Sequence, residues 1–371
     1  MKNKGLSIIL SAVLAVSLLS GCASDNKSTA STAAPSETTA AQTEAVSAAT
    51  PEAESTSSEI ETADAPAAVE ADNTVIRIGA MSGPTAMGMV KLMSDSENGL
   101  TENTYDFSDL STDASAFVAP IAQGELDIAA VPANLASALY NKTGGGVRVL
   151  AVNTLGVLNL VERGDTLGSI KDIAGRKVYA TGQSAVPEYV IRYILTGLGI
   201  DPDKDVELHW CSDTTEALSF LKSEAGAAAI LPQPFATAAA AQIEDLRIVQ
   251  DLNDAWAELD TGCEITTGVT VVRTEFAEAH PEAVETFLKE YSASAAFTSE
   301  NIDEAASLIE KYGIVAKAPL AKKALPACHI VCLTGSEMKT ALQGFLQVLF
   351  DQKSEAVGGK LPGDDFYYGC P

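Results

Sequence analysis

The sequence predicts an α/β protein of two lobes joined by a hinge, each lobe a mostly parallel sheet flanked by helices. Three observations predict it. From about residue 74 onward, short apolar runs alternate with helical patterns. The order strand–loop–helix, strand–helix–strand occurs twice, and Asp127–Pro132 (DIAAVP) echoes Ala227–Pro232 (AAAILP) one hundred residues later. The helices that end the chain have no counterpart in the second repeat. They are placed back on the first lobe, so the chain crosses between lobes twice, near Leu158–Arg163 and Glu264–Val269. Two crossovers make a hinge.

Residues 1–22 read as a signal peptide. Lys2 and Lys4 precede an apolar run that is too short for a permanent membrane helix. The run ends in Leu19-Ser20-Gly21-Cys22, a bacterial lipobox in form, which implies cleavage before Cys22 and lipidation of its thiol. Residues 23–73 are rich in Ala, Ser, Thr and Glu, with no Phe, Trp or Tyr. Such a chain cannot bury enough apolar surface to offset its ordering entropy, so a disordered tether is expected. As a flexible coil it would span on the order of 40 Å.

The body after residue 73 is long enough for two lobes: lobe I over 74–165 and 265–371, lobe II over 166–264. Net charge is −26 for all 371 residues. Nucleic acid would repel so acidic a chain, and no basic cluster offsets this. Five cysteines follow Cys22: Cys211, Cys263, Cys328, Cys332 and Cys370. An extracytoplasmic site permits disulfides, but an odd count leaves one thiol over, and the pairing stays open. Cys328-His329-Ile330-Val331-Cys332 reads as a buried strand, because no second ligand pair has metal-site spacing. No cofactor or metal is expected.

In lobe I, strands are expected at Val75–Ile78, near Asn103–Phe107, at Leu126–Val131 and at Arg148–Val152. Helices are expected over Thr85–Met93, after Asp113 and from Asn134 to Tyr140. Pro120 should kink or delay the second helix. Lobe II repeats this with strands Lys177–Ala180, Val206–Trp210 and Ala227–Leu231, and helices Pro187–Thr196, Thr214–Ser223 and Phe235–Gln242. Asp113 and Asp213 match at an offset of 100, each as an N-cap. Upstream, Gly79 and Pro84 align with Gly182 and Pro187 at an offset of 103. Ala227 stands where Asp127 would repeat, which reads as a lost cap. After strand Gly268–Arg273, helices are expected from Pro281, over Ile302–Tyr312 and over Glu337–Phe350.

The lipobox, the tether and the paired strand-to-proline segments resemble the periplasmic-type solute-binding lipoproteins of ABC importers. The likeness is to the nitrate, sulfonate and thiamine-precursor (NMT1/THI5-like) class. Gly124-Glu-Leu-Asp127-Ile-Ala, Asp172-Ile-Ala-Gly175-Arg-Lys-Val178 and Phe276-Ala-Glu-Ala-His-Pro281-Glu-Ala-Val resemble its recurring segments. The resemblance implies a periplasmic-binding-protein-like fold and a lipid-anchored protein on the extracytoplasmic face of the cell membrane. It implies a non-enzyme, working as a monomer, that captures a small polar solute, an anionic one among the candidates, between its lobes and delivers it to a membrane permease. Two other classes compete: an enzyme of the same two-lobe fold acting on a small metabolite, and a surface sensor or adhesion lipoprotein.

Ligands of open α/β sheets bind outside the carboxyl ends of strands. The loops there carry Ser82, Thr85, Asn134, Asn153, Thr154, Gly182, Gln183, Ser184, Glu188 and Gln233, the candidate ligand-binding residues. Helix N-termini at Thr85 and Pro187 suit an anionic head. Glu188, if it faces the cleft, favours a cationic or hydrogen-bonding ligand. Tyr189, Tyr140 and Phe235 are the aromatic candidates. His209, His280 and His329 fall on none of these loops, so no nucleophile–His–acid set is evident.

Overall fold

In this computed structural model residues 74–370 are described. The signal segment, Cys22 and the whole of the tether lie outside the described residues. Among the described residues no helix is long and apolar enough to cross a membrane.

The first sheet starts with β1 (Val75–Met81), whose alternate residues Ile76, Ile78 and Ala80 are all buried. It pairs in parallel with β2 (Thr104–Ser111) on one side and β3 (Ile128–Pro132) on the other. The helix expected over 85–93 is two helices, α1 (Pro84–Met87) and α2 (Val90–Glu97), broken at Gly88. After β2 the Asp113 carboxylate accepts the Ser115 N–H at 2.9 Å. It caps a 3₁₀ turn, Ala114–Phe117, that leads into α3 (Val118–Gln123). Pro120 thus lies in the first turn of an α-helix, where its missing N–H costs nothing. Helix α4 (Ala133–Thr143) and β4 (Val147–Leu155) follow.

The chain then enters the second sheet as β5 (Leu158–Arg163). After it come β6 (Lys177–Thr181), α5 (Val186–Gly197), β7 (Glu207–Cys211) and α6 (Thr214–Ser223). Next are β8 (Ala228–Pro232), α7 (Phe235–Gln242), β9 (Leu246–Asp251) and α8 (Leu252–Ala257). The return strand β10 (Thr266–Arg273) rejoins the first sheet. The remainder is α9 (Thr274–Ala279), α10 (Pro281–Glu300), α11 (Ile302–Lys311), α12 (Ala318–Ala324), β11 (Ile330–Leu333) and α13 (Gly335–Gln352). Helix α10 packs on α2, and α13 packs on α4 and β4, so both lie against the first sheet.

The sheet orders are β2-β1-β3-β10-β4-β11 and β7-β6-β8-β5-β9. The repeat is therefore topological. In each sheet a parallel trio is followed by one antiparallel strand, and that strand is the one that crosses over: β10 beside β3, β5 beside β8. The sheets are mixed rather than mostly parallel for this reason. Leu158–Arg163 is a full strand of the second sheet, so the first crossing falls at Gly156–Val157, ahead of the expected boundary at residue 165.

Strand register corrects the upstream repeat offset as well. Ile78, Gly79 and Ala80 face Ile128, Ala129 and Ala130, while Val178, Tyr179 and Ala180 face Ala228, Ala229 and Ile230. The offset is 100 throughout, and Gly79 corresponds to Tyr179, not to Gly182. A Cβ on Gly79 would meet Phe117 and Leu126 at 2.8 Å, so packing excludes a side chain there.

Asp127 is not a cap. It is buried and gripped by two guanidiniums, Arg77 at 2.7 Å and Arg273 at 3.2 Å. The second sheet has the same device on a different residue: buried Glu162 on β5 is held by Arg247 at 2.7 Å and Arg176 at 3.4 Å. Burial pushes the Glu162 carboxyl up. Bonds from Thr166, the Leu167 N–H and Arg247 outweigh that and hold it below the usual range. Ala227 therefore marks no loss, because the buried anion has moved to the crossover strand.

Strand β11 begins only at Ile330, and His329 before it turns through a left-handed φ of 46°. Cys328 is buried, and all five cysteines after Cys22 are free thiols.

Candidate functional site

A cavity of about 270 Å³ opens between the two sheets, beside both crossovers. The first sheet contributes the β1–α1 loop (Met81 to Thr85), Pro132 and Asn134 after β3, and Thr154 near the end of β4. The second contributes the first turn of α5 (Ala185 to Pro187) and the β8–α7 loop (Pro232 to Phe235). Val157, Leu158, Ile265 and Thr267 come from the crossings themselves. The cavity thus lies at the carboxyl ends of β1, β3 and β8, where the topology places a ligand.

Its walls are mainly apolar. Polar groups come from Ser82, Thr85, Asn134, Thr154, Gln233 and Thr267. None of the described residues lining it is Asp, Glu, Lys, Arg, His or Cys. Gln233 is fixed from one side: its Oε1 accepts the Thr237 hydroxyl at 2.8 Å and the Thr237 N–H at 3.3 Å. Because the backbone N–H can only donate, this fixes which end of the amide faces the helix. The Nε2 end is buried with no protein partner.

Five of the ten candidate residues meet here: Ser82, Thr85, Asn134, Thr154 and Gln233. Asn153 stands behind the wall, 1% exposed, donating to Thr270 Oγ1 at 3.1 Å and accepting from Thr154 Oγ1 at 2.9 Å. It positions Thr154.

Gly182, Gln183, Ser184 and Glu188 do not line the cavity. Gly182 takes a φ of 83°, and a Cβ there would sit 2.7 Å from Pro187 Cγ. Gln183, Ser184 and Glu188 line a separate surface depression with Tyr189, Arg192, Gln352 and Lys353. Glu188 turns back on its own helix end, accepting the Ser184 N–H at 2.6 Å and pairing with Arg192 at 2.8 Å. A carboxylate at the first turn is favoured by the helix dipole. Here it occupies the place expected for an anionic ligand.

Of the aromatic candidates, Tyr140 donates to Asp365 at 2.5 Å, Tyr189 packs in the core, and Phe235 lies at the cavity, 45% exposed. Sequence reasoning missed the apolar walls at Val157, Leu158, Val190 and Ile265. Periodicity assigns such residues to core, and the expected crossings near Leu158 and Ile265 are not read as cavity walls.

His209 packs edge-on against Tyr179 and Phe220, with centroids 5.3 and 5.4 Å away. Among the described residues no group of three or more His, Cys, Asp or Glu side chains is placed to hold a metal.

Residues 147–305 match the NMT1/THI5-like family model. No curated protein matches the chain. Among solved structures, an ABC transporter protein from Parabacteroides distasonis is 25% identical, with a TM-score of 0.67 over 79% of this chain and 98% of that one. The periplasmic aliphatic sulphonate binding protein SsuA of Escherichia coli is 16% identical, with a TM-score of 0.62 over 79% and 95%. The alkanesulfonate-binding protein SsuA of Xanthomonas axonopodis pv. citri, bound to MOPS, is 11% identical, with a TM-score of 0.56 over 78% and 94%. The last two likenesses establish the fold, that of periplasmic binding proteins. Family model and fold agree with the resemblance read from the sequence: the chain is similar to substrate-binding proteins of ABC importers.

Proposed function

We propose that this protein is the solute receptor of an ABC importer. In this reading it is anchored by lipid at Cys22 on the extracytoplasmic face, works as a monomer and hands its solute to membrane permease subunits. Lobe I would comprise β1–β4 with the return from β10 onward, and lobe II β5–β9. The observation that carries the reading is the cavity between the two sheets, built from the repeated loop positions of both and adjoining both crossovers. A ligand there touches both sheets, so binding and lobe closure are coupled. Ser82, Thr85, Asn134, Thr154 and Gln233 are the proposed binding residues.

The enzyme reading has no support in the cavity, because none of its described lining residues can act as a general acid or base near neutral pH. The test is native mass spectrometry of the full chain purified from the cell envelope without denaturant. A co-purified small molecule is expected on the native protein and absent from Val190→Trp, whose indole fills the cavity. Equal loading of both proteins would contradict the reading. For the anchor, Cys22→Ala should move the chain from the membrane to the soluble fraction; an unchanged membrane fraction would contradict it.

A further inference from the structure

We infer that the His329–Asp251 bond is a proton-operated latch between the lobes: charged His329 holds the two sheets in the arrangement that forms the cavity, and neutral His329 lets them part. The inference rests on the receptor reading for one premise, that the lobes move, and adds a control on solute capture.

The geometry of the hinge carries it. His329 leads into β11, the edge strand of the first sheet, and Asp251 ends β9, the edge strand of the second. Strand β11 lies beside β4 and β9 lies beside β5, so the two residues flank the crossing from β4 to β5. Their side chains meet across it, His329 Nε2 to Asp251 Oδ2, at 2.8 Å. Each is also tied to the crossing. The His329 carbonyl accepts the Leu155 N–H at 3.1 Å. Asp251 Oδ1 accepts one hydrogen of Asn253 Nδ2 at 2.8 Å, and the Gly156 carbonyl accepts the other at 2.8 Å. The carboxylate thus serves the first sheet with one oxygen and the crossing with the other. Rotating one sheet against the other would draw His329 from Asp251, because only side chains join them.

The charges around the ring give the latch its direction. An imidazolium holds a carboxylate more strongly than a neutral imidazole does. Asp254, in the first turn of α8, adds a second negative charge. On the side of the first sheet, Thr298, Ser299, Ile302, Leu325 and Pro326 share a cavity of about 230 Å³ with His329, and none of them is charged. Asp251 and Asp254 are therefore the charged groups that act on His329, and both favour its proton against the opposing effect of burial. The bonded arrangement then binds that proton more tightly than a parted one. By linkage, protonation raises the share of the bonded arrangement, and that share falls as pH rises through the raised value of the bonded ring. Solute capture, which draws on both lobes, is favoured in mildly acidic surroundings.

Single-molecule FRET on the full chain reads the lobe arrangement without a solute. Dyes are carried by non-natural residues at exposed Lys142 and Glu244 in one pair, and at exposed Gln123 and Lys222 in a second, each pair spanning the two lobes. Two variants remove the latch from opposite sides. His329→Asn keeps a residue that tolerates the left-handed φ of 46°, and Asp251→Asn keeps a side chain able to cap α8. In the native chain the ratio of bonded to parted arrangement should fall about three- to tenfold between pH 6 and pH 9. In each variant it should be the same at both values and close to that of the native chain at pH 9. The inference is overturned if the native ratio does not fall in either dye pair, or if either variant keeps the native response. Neither result bears on the receptor reading, whose own test is the co-purified solute.

Discussion

His329 Nε2 lies 2.8 Å from Asp251 Oδ2, and this bond ties the two sheets together. His329 precedes β11 on the first sheet, and its carbonyl accepts the Leu155 N–H at 3.1 Å. Asp251 ends β9 on the second sheet and also accepts from the Asn253 backbone N–H at 2.9 Å. Asn253 Nδ2 in turn donates to the Gly156 carbonyl at 2.8 Å, at the first crossing. The histidine that the sequence placed in a strand away from function therefore belongs to the joint between lobes.

Its bond to Asp251 raises the His329 pKa, with further support from the nearby Asp251 and Asp254 charges, against the opposing effect of burial. A raised native pKa adds stability that is fully present below the unfolded value and is lost as pH rises through the native one. His329→Gln should lower the melting temperature more at about pH 6 than at about pH 9, since an ordinary histidine titrates near 6.5. Thermal unfolding at the two values checks this. An equal loss at both would show that the charged form contributes nothing.

Gly156 has no room for a side chain, since a Cβ would lie 2.1 Å from Asn253 Oδ1. Gly156→Ala should displace Asn253 and break its bond to the crossing, costing about 1–2 kcal/mol in denaturant unfolding. If stability is unchanged, the joint tolerates the shift and Asn253 is not holding it.

Glu162 is fully buried, so truncating a guanidinium that faces it leaves a charge uncompensated. Arg247→Met should cost stability near the lower end of about 3–5 kcal/mol, because Arg176 and Thr166 remain. Glu162→Gln gives the pH signature. A lowered native pKa adds stability above the unfolded value, which is lost as pH falls through the native one. The gap between the native chain and Glu162→Gln in chemical denaturation should be widest near neutrality and narrow below about pH 4.

Gly182→Ala separates folding from binding. The position has a left-handed φ of 83° and abuts Pro187, so a side chain there is strained by about 1–2 kcal/mol. Solute affinity should stay within about threefold, because Gly182 is not a lining residue. A tenfold loss of affinity at unchanged stability would return this loop to the site.

Much of this architecture was legible before any coordinates. The boundaries of α6 and α7 follow from capping and periodicity: Asp213 accepts the Glu216 N–H at 2.9 Å, as its place before Thr214 implies. The offset of 100 at Asp127 and Ala227 marked a true strand register. Strand β9 and helix α8 escaped, because Leu246–Asp251 mixes charged and apolar residues with little alternation. For the site, short polar residues on strand-end loops included five of the six polar residues that line the cavity, and half of the ten candidates lie elsewhere. Glu188 and Ser184 misled because a helix start looks the same in sequence whether a ligand or its own carboxylate fills it. The apolar walls were hidden because Val157 and Ile265, although at or beside the expected crossings, carry the same apolar signal as core residues.

The central claim is that the cavity between the two sheets holds the solute. The most direct measurement is a crystal structure of the protein purified from the cell envelope with its bound molecule retained. The account predicts density for one small molecule enclosed by the loops after β1, β3 and β8. Density for the solute at the Gln183–Arg192 depression, with the cavity holding none of it, would contradict the account.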